Sequence, residues 1–179
     1  MTNATTTAPI ARPQDDEYIP YYGKYIGLVP DGDLVDTLRT QIRETLSLLR
    51  AIPEDRASYR YAPGKWSIKE VVGHLADVER IMTYRALRIA RADATPLPGF
   101  DENAYVPAAN FEARSLGSLA HELAEVRRAT VAFFETLEPT VAARRGSANN
   151  NEISVRALAY IVAGHERHHV KILRERYLT

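Results

Sequence analysis

The chain contains no cysteine among its 179 residues, and this absence removes several kinds of chemistry at once. Disulfide bonds, thiolate metal ligands and a cysteine nucleophile are all excluded. Any reaction that uses a thiol would therefore need a thiol supplied from outside the chain. Because chains without cysteine are compatible with a reducing compartment, we expect a cytoplasmic protein.

A surplus of charge and long apolar runs are also missing. The 23 basic residues (Lys and Arg) balance the 23 acidic residues (Asp and Glu), so the chain lacks the basic surplus typical of nucleic-acid-binding proteins. No stretch approaches the ~18 apolar residues of a membrane-spanning helix. The first residues have neither the basic start nor the apolar run of a signal peptide. We therefore expect no nucleic-acid partner and no membrane partner.

The composition is that of one ordinary domain, with 45% hydrophobic and 26% charged residues. Residues 1–17 are rich in Thr, Ala, Pro and Asp and predict a flexible tail, and residues 18–179 predict a single domain. Within residues 18–30, four tyrosines are interrupted by Pro and Gly, which indicates an ordered, extended arm rather than a helix. We expect this arm to cover hydrophobic surface; alternatively it lines the rim of a pocket or reaches a second subunit.

Four amphipathic helices are predicted, because apolar residues recur every three or four positions in four long segments. Polar residues mark their starts: Asp31 or Asp33, Ser67, Ser115 and Ser154. Ser67 also forms a capping box with Glu70. The connections 53–66, 93–114 and 139–153 are predicted as loops, with no convincing strand. The pattern predicts an all-α, antiparallel-type four-helix bundle with at least one long crossover connection.

The last helix carries histidines where its buried stripe should have Leu or Ile. Val155, Leu158 and Val162 are followed by His165 and His169, always in steps of three or four. Histidines at i and i+4 share one helical face, about 6 Å apart at Cβ. A buried imidazole needs partners for both nitrogens, and a single metal ion satisfies two rings that face the same interior.

A third histidine lies on the inward stripe of the second helix. His74 follows Val71 by three residues and precedes Val78 by four. A lone inward histidine is more often a hydrogen-bonded core residue, but together with the pair on the last helix it indicates a metal site. Three histidines with an open fourth position are typical of catalytic rather than structural sites. The open position would lower the pKa of water to about 7, or accept a donor atom of a substrate.

Three other side chains were considered with this pattern, and two of them have two interpretations. Asp77, three residues after His74, is a candidate catalytic helper that faces the site, or else a solvated or ion-paired carboxylate. His168 turns about 100° away from its neighbour His169, so we expect it at the helix surface or beside the ligands. His121 is expected at the surface.

Residues 165–169 read HERHH and match the HExxH motif of zinc proteases, in which the glutamate acts as base. We disfavour that interpretation, because a five-residue match is weak and Glu166 turns away from the histidine face. Only ten residues follow His169, and they contain no histidine for a third ligand.

Four segments together carry a resemblance to a known family: GKWSIKEVVGHLADVER (64–80), PGFDENAY (98–105), VRRAT (126–130) and GHERHHVKIL (164–173). In them, and over residues 59–177 as a whole, the chain resembles the DinB-like, YfiT-like family of metal-dependent hydrolases and thiol transferases. The resemblance implies a four-helix bundle and places the metal ligands at His74, His165 and His169. It also implies nickel, zinc, iron or manganese as the metal, and a homodimer.

Two functions of different classes remain open from the sequence. One is a metal-dependent enzyme, either an S-transferase that uses an external low-molecular-weight thiol or a hydrolase that activates water. The other is a non-catalytic helical bundle that binds a small ligand in its cavity, for example in a stress response.

Overall fold

The computed structural model describes residues 8–178, and its framework is four long helices. These are α2 (Leu34–Arg50), α3 (Ile68–Ala90), α5 (Leu116–Phe134) and α7 (Val155–Ile172). Helices α2 and α3 each pack on both α5 and α7, so α2 and α3 occupy opposite corners of the bundle. The prediction of an all-α four-helix bundle is confirmed. In the part of the chain described, no helix has the length and apolar character needed to cross a lipid bilayer.

Each framework helix begins at a polar side chain that accepts hydrogen bonds from the free amides of its first turn. The four caps are Asp33, Ser67, Ser115 and Ser154. Of the two caps predicted for α2, the structure uses Asp33 and not Asp31. The predicted capping box is present: Ser67 Oγ accepts from the Glu70 amide at 3.2 Å, and the Glu70 carboxylate accepts from the Ser67 amide at 2.8 Å.

The tyrosine-rich segment contains a short helix, α1 (Pro20–Ile26), where the sequence predicted an extended arm. Pro20 occupies the first helical position, where its fixed φ favours the helix and its missing amide hydrogen costs nothing. Helix α1 packs on α7 at Gly164, where an added Cβ would overlap the main-chain carbonyl of Tyr25. Glycine is therefore required at this position for α1 to lie against α7.

Residues 8–17 pack against the bundle, whereas the sequence predicted a flexible tail up to residue 17. Ile10 is buried, and the buried carboxylate of Glu17 accepts a hydrogen bond from Arg156 at 2.7 Å. Burial works to raise the pKa of Glu17, but hydrogen bonds from Arg156 and Ser154 outweigh it and lower the pKa to about 2. The first seven residues of the predicted tail lie outside the described residues.

The connection 93–114 contains a helix, α4 (Glu102–Ala109), which the sequence analysis did not predict. The Asp101 side chain accepts from the Asn103 amide at 2.9 Å and caps it, and the positive φ of 49° at Asn110 ends it. Only eight residues long, α4 is too short to produce a clear periodic stripe. The remaining short elements are α6 (Pro139–Ala142), 3-10 turns at Asp15–Glu17, Glu54–Arg56 and Phe111–Ala113, and a π-helical turn at Leu173–Tyr177.

A β-hairpin precedes α7, although the sequence predicted a loop there. Strand β1 (Arg145–Ala148) pairs antiparallel with β2 (Asn151–Ser154). Asn149 and Asn150 have positive φ angles of 52° and 60°, as both central residues of a type I′ hairpin turn require. The strands were missed because two four-residue segments give no clear alternation of polar and apolar residues.

The hydrophobic core consists of two clusters of buried side chains. The first joins α1 and most of α7 to the C-terminal half of α3, and the second joins α2, α5 and the N-terminal half of α3. Near the transition between them, each framework helix carries buried polar side chains. They are Gln41 and Thr45 of α2, His74 and Glu79 of α3, Arg127 of α5, and His165 and Glu166 of α7.

Candidate metal centre

Helices α3 and α7 bring the three predicted histidines together. His165 and His169 lie one turn apart on the face of α7 that packs against α3, and His74 lies on the facing side of α3. His74 and His165 are buried, and His169 is nearly so. The convergence follows from the helical spacing within α7 and from the packing of α7 on α3.

The donor atoms of the three rings lie close together, all within 4.8 Å of one another. His165 Nε2 lies 3.1 Å from His74 Nε2 and 3.1 Å from His169 Nε2. The ring centroids are between 4.5 and 5.0 Å apart in all three pairs. Three nitrogen ligands at about 2.0–2.1 Å from a common ion, at angles between octahedral and tetrahedral, lie about 2.9–3.4 Å from one another. The observed separations fit one divalent cation.

The protonation state of the rings also suits a cation. Burial lowers the pKa of His74 to about 4 and the pKa of His169 to about 3. Burial, with the neighbouring histidines, lowers the pKa of His165 well below its usual value. All three imidazoles are therefore neutral at pH 7, so each has a nitrogen lone pair to donate. Neutral imidazole is a common ligand of zinc, nickel and iron.

The imidazoles line a cavity of about 500 Å³, a volume suited to a small organic molecule. Its wall is largely aromatic and apolar, with Tyr21, Tyr22, Tyr25, Trp66, Phe100 and Met82 among the lining residues. The tyrosines of α1 therefore line a pocket, as one of the sequence interpretations proposed, and Tyr25 is also part of the buried core.

Aromatic rings pack directly against the candidate ligands. The Trp66 ring lies 4.6 Å from the His74 ring, and the Tyr25 ring meets the His165 ring edge-on at 5.4 Å. His168 is half-buried, lines the same cavity, and lies 5.3 Å from Tyr25. Of the two positions expected for His168, the structure shows the one beside the candidate ligands.

The structure does not bring Asp77 to the three histidines. Its carboxylate lies 3.5 Å from Arg80, on the side of α3 that faces α5, where Arg80 also pairs with Glu122 at 2.6 Å. Burial and Glu122 raise the pKa of Asp77, while Arg80 opposes that rise. Asp77 is thus an ion-paired carboxylate between helices, and we assign it no part in the site. His121 is exposed, as expected.

Glu166, the glutamate of the HExxH match, points into the bundle and away from the cavity. Its carboxylate accepts a hydrogen bond from Thr45 Oγ1 at 2.6 Å and pairs with Arg127 at 2.7 Å. It also accepts from the side-chain amide of Gln41. A zinc protease needs this glutamate free beside the metal to act as base, so the geometry argues against the protease interpretation.

Two buried arginines near the site were not singled out from the sequence. Arg85 lines the cavity, and Arg127 joins Glu79 to Glu166. Both lie on inward stripes: Arg85 is three residues after Met82 on α3, and Arg127 is four residues after Leu123 on α5. A charged residue at an apolar position of a helical stripe was therefore the signal from which both arginines could have been found.

Comparisons with known proteins agree with this architecture. A curated protein of Oceanobacillus iheyensis named "Putative metal-dependent hydrolase OB0413" is 27% identical over 139 residues, which cover 76% of this chain and 77% of that protein. The solved structure of YfiT from Bacillus subtilis, described as a probable metal-dependent hydrolase with an unusual four-helix bundle topology, matches with a TM-score of 0.65. The match covers 92% of both chains at 17% identity, and at that identity it shows the shared fold alone. The family profile of the DinB superfamily matches residues 37–173, so the chain belongs to the DinB superfamily.

Proposed function

We propose that the protein is a metal-dependent hydrolase in which His74, His165 and His169 hold one divalent cation beside the substrate cavity. The observation that carries the proposal is the convergence of three neutral imidazoles in the wall of that cavity, with His165 Nε2 at 3.1 Å from the Nε2 atoms of both His74 and His169. The name of the Oceanobacillus iheyensis relative described above supports the same class of reaction.

The metal would supply the main chemical activation. A divalent cation with three histidine ligands and an open position lowers the pKa of water to about 7, and in the same way favours a thiolate at neutral pH. The chain itself supplies the three nitrogen donors and holds their rings in place. Trp66 packs against the His74 ring and Tyr25 against the His165 ring, and these contacts restrain the two imidazoles.

Thiol transfer is a second candidate, and one observation favours it. Within residues 8–178, the cluster suited to a metal contains only the three histidines and no carboxylate. Asp77 and Glu166 are engaged in ion pairs elsewhere, and Glu102 lines the cavity without belonging to that cluster. A thiol, with a pKa near 8.5, needs less help from a base than water does. Since the chain has no cysteine, the thiol would be an external low-molecular-weight one.

Metal analysis combined with two substrate panels tests these proposals. The purified protein should contain one divalent ion per chain, which His165→Ala should remove and His121→Ala, at an exposed histidine, should retain. Turnover of carboxylic esters and amides by the metal-loaded protein supports the hydrolase, and turnover of alkyl halides only with an added thiol supports the transferase. Undiminished metal in His165→Ala would contradict the site. Bound metal without turnover in either panel would favour the non-catalytic, ligand-binding alternative.

The homodimer implied by the resemblance and the cytoplasmic location expected from the absence of cysteine remain predictions for this chain. Sedimentation equilibrium of the purified protein measures the first, and fractionation of cells that produce it measures the second.

A further inference from the structure

The substrate cavity contains a buried positive charge that the proposed function does not use. Arg85 is only 3% exposed, and its side chain lines the same cavity as the three histidines. It lies eleven residues after His74 on α3. The two side chains share the inward side of one helix, because eleven residues correspond to about three helical turns.

The contacts of Arg85 position its guanidinium without neutralising it. Nη2 donates a hydrogen bond to the carbonyl oxygen of Pro98 at 2.6 Å, and Nη1 lies 3.7 Å from Met82 Sδ. The hydroxyl of Tyr22 is a further hydrogen-bond partner of the guanidinium. The guanidinium carbon lies 5.5 Å from the centre of the Phe100 ring. These partners leave several of the five N–H donors of the guanidinium available. No ion pair found within residues 8–178 includes Arg85.

Comparison with Arg127 shows that Arg85 lacks a carboxylate counter-ion. Arg127 is equally buried and is paired with two carboxylates, Glu79 at 2.8 Å and Glu166 at 2.7 Å. A buried charge without a counter-ion is costly, and arginine does not lose its proton to avoid that cost. A buried, uncompensated arginine in the wall of a ligand-sized cavity is therefore a candidate binding group for an anion.

A carboxylate of the chain itself lies in the same cavity and is the alternative to a bound anion as the counter-ion of Arg85. Glu102, near the start of α4, also lines the cavity, and it forms no ion pair with Arg85. If Glu102 were the counter-ion of Arg85, replacing Glu102 would free the guanidinium and strengthen the binding of an added anion. The variant Glu102→Gln therefore separates an internal ion pair from a ligand site.

We propose that Arg85 binds the carboxylate of a small organic substrate whose reacting group lies at the three histidines. The substrate role rests on the function proposed above, whereas the carboxylate site itself does not. The planar guanidinium matches a carboxylate in shape and hydrogen-bonding pattern. Arg85 is the single Lys or Arg among the residues found to line the cavity, so a monoanion is favoured over a doubly charged phosphate ester.

The helix geometry gives the length of this substrate. Eleven residues at 1.5 Å each separate the two Cα atoms by about 16 Å along α3. Both side chains lean back toward the helix N-terminus, so the guanidinium and the His74 imidazole keep about this separation. The contacts at the two ends take up about 3 Å each and leave about 10 Å for the substrate. A carboxylate joined to its reacting group by about seven or eight bonds spans that distance. The apolar wall between the two ends fits an apolar linker.

Calorimetric titration with octanoate and its neutral analogue octanamide tests the carboxylate site. The protein should bind octanoate about 10–100-fold more tightly than octanamide, the effect of a hydrogen-bonded charge pair. Arg85→Gln should abolish this preference. The matched control Arg88→Gln, at an arginine on the same helix that pairs with Asp93, should retain it, as should Glu102→Gln.

Several results would overturn the proposal: equal binding of the two probes, no binding of either, a preference that survives Arg85→Gln, or tighter binding of octyl phosphate than of octanoate. Arg85→Lys is a second variant in case Arg85→Gln does not fold. It keeps the charge without the planar fork and should show a reduced preference. The same titration in His165→Ala, which should lack the metal, should still show the wild-type preference for octanoate. Failure of the metal proposal can therefore be distinguished from failure of the carboxylate proposal.

Discussion

Arg127 is the side chain on which we expect the stability of the bundle to depend most strongly. It is 1% exposed, and its guanidinium donates to both carboxylate oxygens of Glu79 at 2.8 Å. It pairs with Glu166 at 2.7 Å and donates to the Leu38 carbonyl at 3.1 Å. Burial works to lower the pKa of Arg127, but the two carboxylates outweigh it and raise the pKa. One side chain of α5 thus bonds to each of the other three framework helices.

Replacing Arg127 with methionine should cost about 3–5 kcal/mol, because it leaves buried carboxylates without a counter-charge. That is a large part of the roughly 5–15 kcal/mol by which domains are stable. For a domain of this size, each 1 kcal/mol lowers the melting temperature by about 2–4 °C. The expected fall is therefore about 10 °C.

Urea unfolding followed by circular dichroism measures this loss, with Arg128→Met as the matched control. Arg128 is the next residue of α5, is exposed, and pairs with the half-exposed Glu125, so its replacement should change stability by about 0.5 kcal/mol or less. The triple variant with Arg127→Met, Glu79→Gln and Glu166→Gln removes the buried charges and should recover part of the loss. A loss in Arg127→Met no larger than that in Arg128→Met would refute the reasoning.

Three further predictions concern other parts of the molecule. Gly164→Ala should lose about 1–3 kcal/mol in urea unfolding, because the new Cβ overlaps the Tyr25 carbonyl, whereas Gly117→Ala, with open space around it, should not lose stability. Because the pKa of Glu17 is lowered from 4.5 to about 2, its carboxylate stabilises the fold above pH 4.5. Wild type should therefore exceed Glu17→Gln in unfolding free energy at pH 7, and the difference should shrink as the pH falls from 4.5 to 2. A divalent ion at 100 times its Kd should raise the unfolding free energy by about 2.7 kcal/mol in the wild type and not in His165→Ala.

The framework helices and the histidine cluster were accessible from the sequence because local rules determine them. A cap such as Ser67 acts on amides two or three residues away, and the i, i+4 spacing of His165 and His169 fixes a shared face whatever packs against it. His74 could be added because its stripe had to face another helix of the bundle. Each of these inferences needed only helical periodicity.

The parts that the sequence analysis missed depend on contacts between distant segments. The place of Glu166 beside Arg127 depends on how α5 sits in the bundle, which periodicity does not specify. Helix α1 is short, and its position rests on a close approach to Gly164. The cavity role of Arg85 appears only when α1, α3 and the 98–105 segment are brought together.

The central claim is that three imidazoles from α3 and α7 bind one divalent metal ion, and anomalous X-ray diffraction from metal-loaded crystals tests it most directly. Data collected on either side of the absorption edge of the metal should give one anomalous peak between the Nε2 atoms of His74, His165 and His169, about 2.0–2.2 Å from each. The peak should be missing in crystals of His165→Ala. Absence of a peak at this position in the wild type, or a peak held by other residues, would contradict the claim.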